Sequence, residues 1–155
     1  MISTKGRYAL RAMIDLAEHA RDGEYVPLME VAERQQISEK YLESIVSSLS
    51  KAGLVKGVRG KGGGYRLNRA PSEYTVEEIL SVTEATLAPV ACVACEDEPE
   101  ACDRRDGCPT YPLWKGLDDM ISSYLGGVTL ADLIDGTVSV DVMGGCPSDT
   151  SGARS

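Results

Sequence analysis

Residues 37–67 read ISEKYLESIVSSLSKAGLVKGVRGKGGGYRL, and the order of elements within them decides the fold. Ser38 is a good helix N-cap, with Glu39 favourable in the first turn. Leu42, Ile45, Val46 and Leu49 then follow the i, i+3, i+4, i+7 rule, which predicts a helix with one buried stripe. Gly53 supplies its stop. The opposite face carries Glu39, Lys40, Glu43, Ser44, Ser47, Ser48 and Lys51. Such a short, hydroxyl-rich surface can lie in a major groove and reach base edges, although any solvated helix face is also polar. Residues 54–58 then predict a short strand and residues 65–67 a return strand. Between them, Arg59-Gly60-Lys61-Gly62-Gly63-Gly64 forms a basic tip. A bare backbone with two cations approaches phosphates closely, and an arginine can enter a minor groove. A nucleotide-phosphate loop is discounted, because no G-x-x-x-x-G-K-[ST] pattern with a following helix is present.

Upstream, residues 4–20 predict a first helix. Tyr8, Ala12 and Leu16 recur at steps of four beside Ala9, Met13 and Ala17, and Asp22-Gly23 ends the pattern. Pro27 opens a second, short helix that buries Leu28, Val31 and Ala32, and Gln35-Gln36-Ile37 makes the turn into the third. Three helices followed by a hairpin are a winged helix-turn-helix, so the chain is expected to be mainly α, with that DNA-binding domain over residues 1–84.

Thr75 caps a fourth helix over residues 77–83. A cysteine-rich loop over residues 85–111 follows. Pro112 then starts a longer helix to about Leu125 with two apolar edges, one of Leu113, Leu117, Met120 and Tyr124, the other of Trp114, Ile121 and Leu125. That surface is wider than one small domain requires, so the helix is expected to pack both on its own domain and on a partner copy. Residues 112–136 hold this dimerisation helix and a short terminal helix near residues 128–134. The Gly/Ser/Asp-rich stretch 137–155, with Cys146, is expected to be a disordered tail.

Four of the five cysteines, Cys92, Cys95, Cys102 and Cys108, fall within 17 residues as C-x2-C-x6-C-x5-C. There is no signal-peptide pattern and no run of eighteen apolar residues, which predicts a cytoplasmic protein without a membrane span. Thiols stay reduced in that compartment, so the cluster reads as metal-binding or redox-active rather than as a disulfide framework. Thiolates at this density suit a soft metal or an iron–sulfur cluster. For zinc, the C-x5-C half is wider than the usual spacer. The neighbouring acids would solvate the loop and raise thiol pKa values. A thiol oxidoreductase would need Cys92-Val93-Ala94-Cys95 at a strand-to-helix junction in a βαβ unit, and no such repeat exists. No Ser/His/Asp set or paired catalytic carboxylates appear, so the chain is not expected to be an enzyme. Net charge divides the chain: residues 1–70 hold 12 Lys/Arg against 8 Asp/Glu, and residues 71–155 hold 4 against 16. The basic half suits a polyanion such as DNA.

Five stretches carry a resemblance: residues 4–9 (TKGRYA), Ile37-Ser38 to Tyr41-Leu42-Glu43, Gly53-Leu54-Val55, residues 58–65 (VRGKGGGY), and Leu113-Trp114 to Val128-Thr129-Leu130. On these the chain resembles the IscR/NsrR/CymR superfamily of bacterial winged-helix transcription regulators. The resemblance implies a homodimer with a long crossed helix. It also implies binding to a palindromic site in double-stranded promoter DNA, with the third helix in the major groove and the wing in the minor groove. Glu43 matches a position that discriminates sequence in iron–sulfur members, and Arg59 matches the wing arginine. The DNA-facing set is thus expected to be Ser38, Glu39, Lys40, Tyr41, Glu43, Ser44, Ser47, Arg59, Lys61 and Gly62.

In iron–sulfur members three cysteines hold the cluster. Carried over, the last two are Cys102 and Cys108, and the first is Cys95 or Cys92. Some [2Fe–2S] members add a histidine three residues after the third cysteine, where this chain has Tyr111. Nitric-oxide-sensing members place an aspartate before the Tyr-Ala of the first helix, where this chain has Arg7. The surplus cysteine is the obvious replacement, giving an all-cysteine site compatible with [2Fe–2S], which is favoured, or [4Fe–4S]. The expectation is a dimeric repressor whose promoter binding follows the cluster or the redox state of these thiols. The alternative is a winged-helix regulator of the cysteine-metabolism type with structural zinc or a metal-free thiol switch.

Overall fold

A computed structural model describes residues 1–94 and 102–138. The helices are α1 (Thr4–His19), α2 (Leu28–Gln35), α3 (Glu39–Lys51), α4 (Val76–Thr83), α5 (Ala91–Ala94), α6 (Tyr111–Gly127) and α7 (Leu130–Asp135). The strands are β1 (Val55–Val58) and β2 (Gly64–Leu67). The mainly helical winged-helix fold is as expected, and each long helix lies within two residues of its predicted bounds. The sequence reading missed α5 and two single 3-10 turns, Pro71–Glu73 and Arg105–Gly107. All three are too short to show a hydrophobic period.

Local chemistry explains the boundaries. Ser3, Ser38, Thr75 and Thr129 each accept a backbone N–H at a helix start. Gln36 ends α2 in the left-handed region, with φ 55° and ψ 45°. Its N–H bonds back to the Ala32 and Glu33 carbonyls, and Ile37 N–H follows to Ala32 at 3.1 Å. Three backbone bonds thus close the tight turn into α3 without a glycine.

The predicted stripe of α3 is fully buried: Leu42, Ile45, Val46 and Leu49 are at most 1% exposed. They meet Ala9, Ala12, Met13 and Leu16 of α1 and Val31 and Ala32 of α2. Helix α1 is the centre of the fold and packs against α2, α3, α4, α7 and β2. A third segment joins the wing: Val26 exchanges two 2.9 Å backbone bonds with Tyr65. Nothing in the sequence marks Val26 for this role, because one bridging residue has no alternation to detect. Gly64 is required at this junction. Its φ is 153°, and a Cβ would collide with the Val26 carbonyl.

Tyr74 pins the root of the wing. Its fully buried hydroxyl donates to the Leu54 carbonyl at 2.6 Å and accepts from the amides of Asn68 at 2.9 Å and Arg69 at 3.0 Å. The chain therefore enters β1 and leaves β2 at one oxygen. Helix α7 returns to the same core, where Leu130 is buried and its N–H bonds the Tyr74 carbonyl at 2.9 Å.

On α6 the two apolar edges separate. Trp114, Ile121 and Leu125 are half-buried, whereas Leu113, Met120 and Tyr124 are at least half exposed and Leu117 is 38% exposed. The tail 139–155, with Cys146, lies outside the described residues.

Candidate nucleic-acid interface and cysteine loop

An open cleft of about 760 Å³ separates α3 from the wing. Glu39, Glu43, Ser47, Ser50 and Lys51 line one side, Gly57 to Gly60 line the other, and Leu28 and Met29 of α2 close one end. Of the expected DNA-facing residues, Glu39, Glu43, Ser47 and Arg59 share this cleft. Lys40 and Ser44 are exposed on α3 outside it, and Lys61 and Gly62 form the exposed tip of the wing. Gly60 and Gly62 take φ of 96° and 76°, which lets five residues reverse the chain between Val58 and Gly64. The tip therefore presents backbone and two cations.

Ser38 acts as a cap, its Oγ accepting from Tyr41 N–H at 3.3 Å. Tyr41 is half-buried and meets the Tyr8 ring edge-on, with centroids 5.9 Å apart. Lys51, read on the polar face of α3, lines the cleft as well; Ser50 and Met29 also line it and were not singled out, since only tertiary packing brings them to it. Lys5 was missed as well: from the first turn of α1 its Nζ donates to Ser48 Oγ on α3 at 3.4 Å.

Three of the four candidate ligands lie among the described residues. Cys92 is on α5, and Cys102 and Cys108 flank the turn Arg105–Gly107 just before α6. All three are free and half-buried. Cys95 lies outside the described residues, as do Glu96, Asp97, Glu98 and Glu100. Among the described residues no group of three or more His, Cys, Asp or Glu side chains is gathered closely enough to hold a metal ion. The donor chemistry, free thiols at both ends of one loop, nonetheless fits a thiophilic group.

The expected rise in thiol pKa is corrected at Cys108. Hydrogen bonds from the Thr110 hydroxyl and backbone, with the Arg104 charge nearby, hold this thiol below its ordinary range. These donors outweigh the desolvation that pushes the thiol up. Tyr111, at the position of the family histidine, accepts a 2.8 Å bond from Arg105, whose guanidinium lies 5.0 Å from the ring centre. Arg7 donates to Thr4 at 3.1 Å. His19 sits on α1 with Nδ1 2.9 Å from the Asp15 carbonyl.

A helix-turn-helix on a three-helix core, with a basic hairpin beside its second helix, defines a winged-helix DNA-binding protein. Residues 2–136 match the family model described as "Rrf2: Iron-dependent Transcriptional regulator". The chain belongs to this Rrf2 family and is a DNA-binding transcriptional regulator. It is 44% identical over 133 residues to the HTH-type transcriptional regulator IscR of Aliivibrio salmonicida, covering 86% of this chain and 76% of that one. Among solved structures it resembles T. potens IscR, with TM-score 0.67 and 35% identity over 94% of this chain and 93% of the other. It also resembles CymR (YrzC), the global cysteine regulator of B. subtilis, with TM-score 0.68 and 39% identity over 87% and 96%. No described helix is long and apolar enough to cross a membrane.

Proposed function

We propose that the protein is a cytoplasmic, homodimeric repressor that binds a palindromic site in double-stranded promoter DNA. Its occupancy of that site follows an iron–sulfur cluster, of [2Fe–2S] type, held by the loop thiols. The observation that carries the reading is the cleft joining the polar face of α3 to the wing. With α3 in a major groove, Glu43 and Ser47 face base edges while Arg59 and Lys61 reach the adjacent backbone and minor groove. Glu43 is acidic and faces a polyanion, so its use is discrimination, accepting from a cytosine amino group, rather than affinity.

The edge of Leu113, Leu117, Met120 and Tyr124 supports the dimer. It advances by four, three and four residues, a seam repeat that suits a second copy of the same helix. The neighbouring groove of Leu87, Pro89, Ile121 and Leu125 extends that surface.

Cys92, Cys95, Cys102 and Cys108 would hold the cluster. When bound, it supplies reversible one-electron chemistry and sensitivity to oxidants. A cluster held by these thiols would tie α5 to the start of α6, and α5 packs on α6, so its gain or loss would bear on α6, which in the dimer sets the spacing of the two α3 helices. A bias of a few kcal/mol suffices to move promoter occupancy appreciably.

The test is elemental analysis and absorbance of anaerobically purified protein, followed by selection of bound duplexes from a random pool. Iron and acid-labile sulfide with a visible charge-transfer spectrum and a two-fold-symmetric selected site are expected. Stoichiometric zinc without sulfide sinks the cluster. A selected site without two-fold symmetry sinks the dimer reading.

A further inference from the structure

We propose that a polar relay from Asp15 to Tyr41 positions the first turn of the recognition helix, making Arg11 and Tyr8 positioning residues for sequence discrimination. The proposal rests on α3 being the helix that reads DNA.

The relay begins at Asp15 on α1, the only charged side chain that is buried among the described residues. Its carboxylate accepts from Arg34 Nη2 at 2.7 Å and Nε at 3.1 Å, and from Gln35 Nε2 at 2.8 Å. Gln35 is thereby fixed at the end of α2, directly before Gln36 in its left-handed conformation. The other side of Gln35 is also taken. Arg11 Nε donates to its side-chain oxygen at 3.1 Å, and Arg11 Nη2 donates to its backbone carbonyl. The Arg11 guanidinium in turn lies 5.2 Å from the centre of the Tyr8 ring. Tyr8 meets Tyr41, in the first turn of α3, at 73° between ring planes.

Both ends of the turn between α2 and α3 are therefore referenced to α1, one through Gln35 and the other through Tyr41. Exposure separates this role from core stability at Arg11, which is exposed, so its loss leaves the apolar core intact; Tyr8 and Tyr41 are half-buried and also pack on the edge of that core. What changes is the freedom of the turn that presents Ser38 and Tyr41. A helix that rocks in the groove loses base-edge bonds, which need close geometry, before it loses phosphate attraction, which does not.

The test uses the full-length protein, a duplex selected by the wild type from a random-sequence pool, and poly(dI–dC) as non-specific competitor. Arg11→Met keeps the side-chain stem and removes its hydrogen bonds. It is expected to weaken binding to the selected duplex about tenfold while affinity for poly(dI–dC), the log–log salt slope and the melting temperature stay near wild type. Tyr8→Ala is expected to lose selectivity alike, with a lower melting temperature because its ring also packs on the core, and Tyr8→Phe, which retains the ring, to behave as wild type. Equal losses on both DNAs, or a salt slope smaller by about one, would make Arg11 a phosphate contact and overturn the proposal. Unchanged selectivity in both Arg11→Met and Tyr8→Ala overturns it as well. If the wild type selects no sequence at all, the DNA-reading role of α3 fails and the relay falls with it.

Discussion

Replacing Tyr74 by phenylalanine deletes one oxygen and three hydrogen bonds at the root of the wing. The ring stays, so packing in the core and the Arg69 guanidinium 4.2 Å from the ring centre are preserved. The Leu54 carbonyl loses a bond in a buried setting, which costs about 1–3 kcal/mol. The Asn68 and Arg69 amides are only partly buried and recover water, so each adds about 0.5 kcal/mol. The expected loss is about 2–4 kcal/mol, or a fall of about 4–16 °C in melting temperature for a chain of this size. Urea unfolding followed by circular dichroism measures it: the midpoint should fall with the slope unchanged. Because β1 and β2 are both released at this point, affinity for a selected duplex should also drop under conditions where the variant remains folded. A stability change below about 0.5 kcal/mol would refute the reasoning, since the hydroxyl would then not be holding the wing.

Arg59→Ala should weaken DNA binding by about 1–3 kcal/mol without altering thermal unfolding, and unchanged binding would remove the wing from the interface. Leu117→Glu together with Met120→Glu should give monomers in sedimentation velocity, because each side chain contributes about 1.5–3 kcal/mol when buried against a partner; an intact dimer would place the interface elsewhere. Burial pushes the Asp15 carboxyl up, but hydrogen bonds from Arg34 and Gln35 and the charges of Arg34 and His19 bring it below the usual range. A lowered folded value means stability that is complete above the unfolded pKa of about 4 and is lost as pH falls through the folded one. Asp15→Asn should thus be less stable near neutrality and show a shallower acid decline, and a difference from wild type that is the same at all pH values would contradict this.

The winged helix was legible because its signals are local and redundant. The stripe Leu42, Ile45, Val46 and Leu49, the cap at Ser38 and the stop at Gly53 all fall within one helix length, and the glycines of the wing mark a turn that few other residues can make. The two edges of α6 were also readable as a pattern, although which edge the domain covers depends on where α4 and α5 pack. What escaped was tertiary. Val26 joins the wing through one bridge, Lys5 reaches Ser48 across forty-three positions, and Asp15 looks like an ordinary polar helix residue until Arg34 closes on it. At the loop, sequence named the thiols but read the surrounding charge without the two Thr110 donors that dominate at Cys108.

If the loop thiols govern promoter occupancy, a nuclease footprint on the protein's own promoter will register it. Anaerobically prepared protein carrying iron and sulfide, and the same preparation stripped by chelation, would be titrated side by side while both remain dimeric. Protection of a two-fold-symmetric site is expected, at midpoints differing about tenfold or more between the two forms. Coincident midpoints, with both forms protecting the same site, would contradict it and leave a winged-helix regulator whose cysteines serve something other than DNA binding.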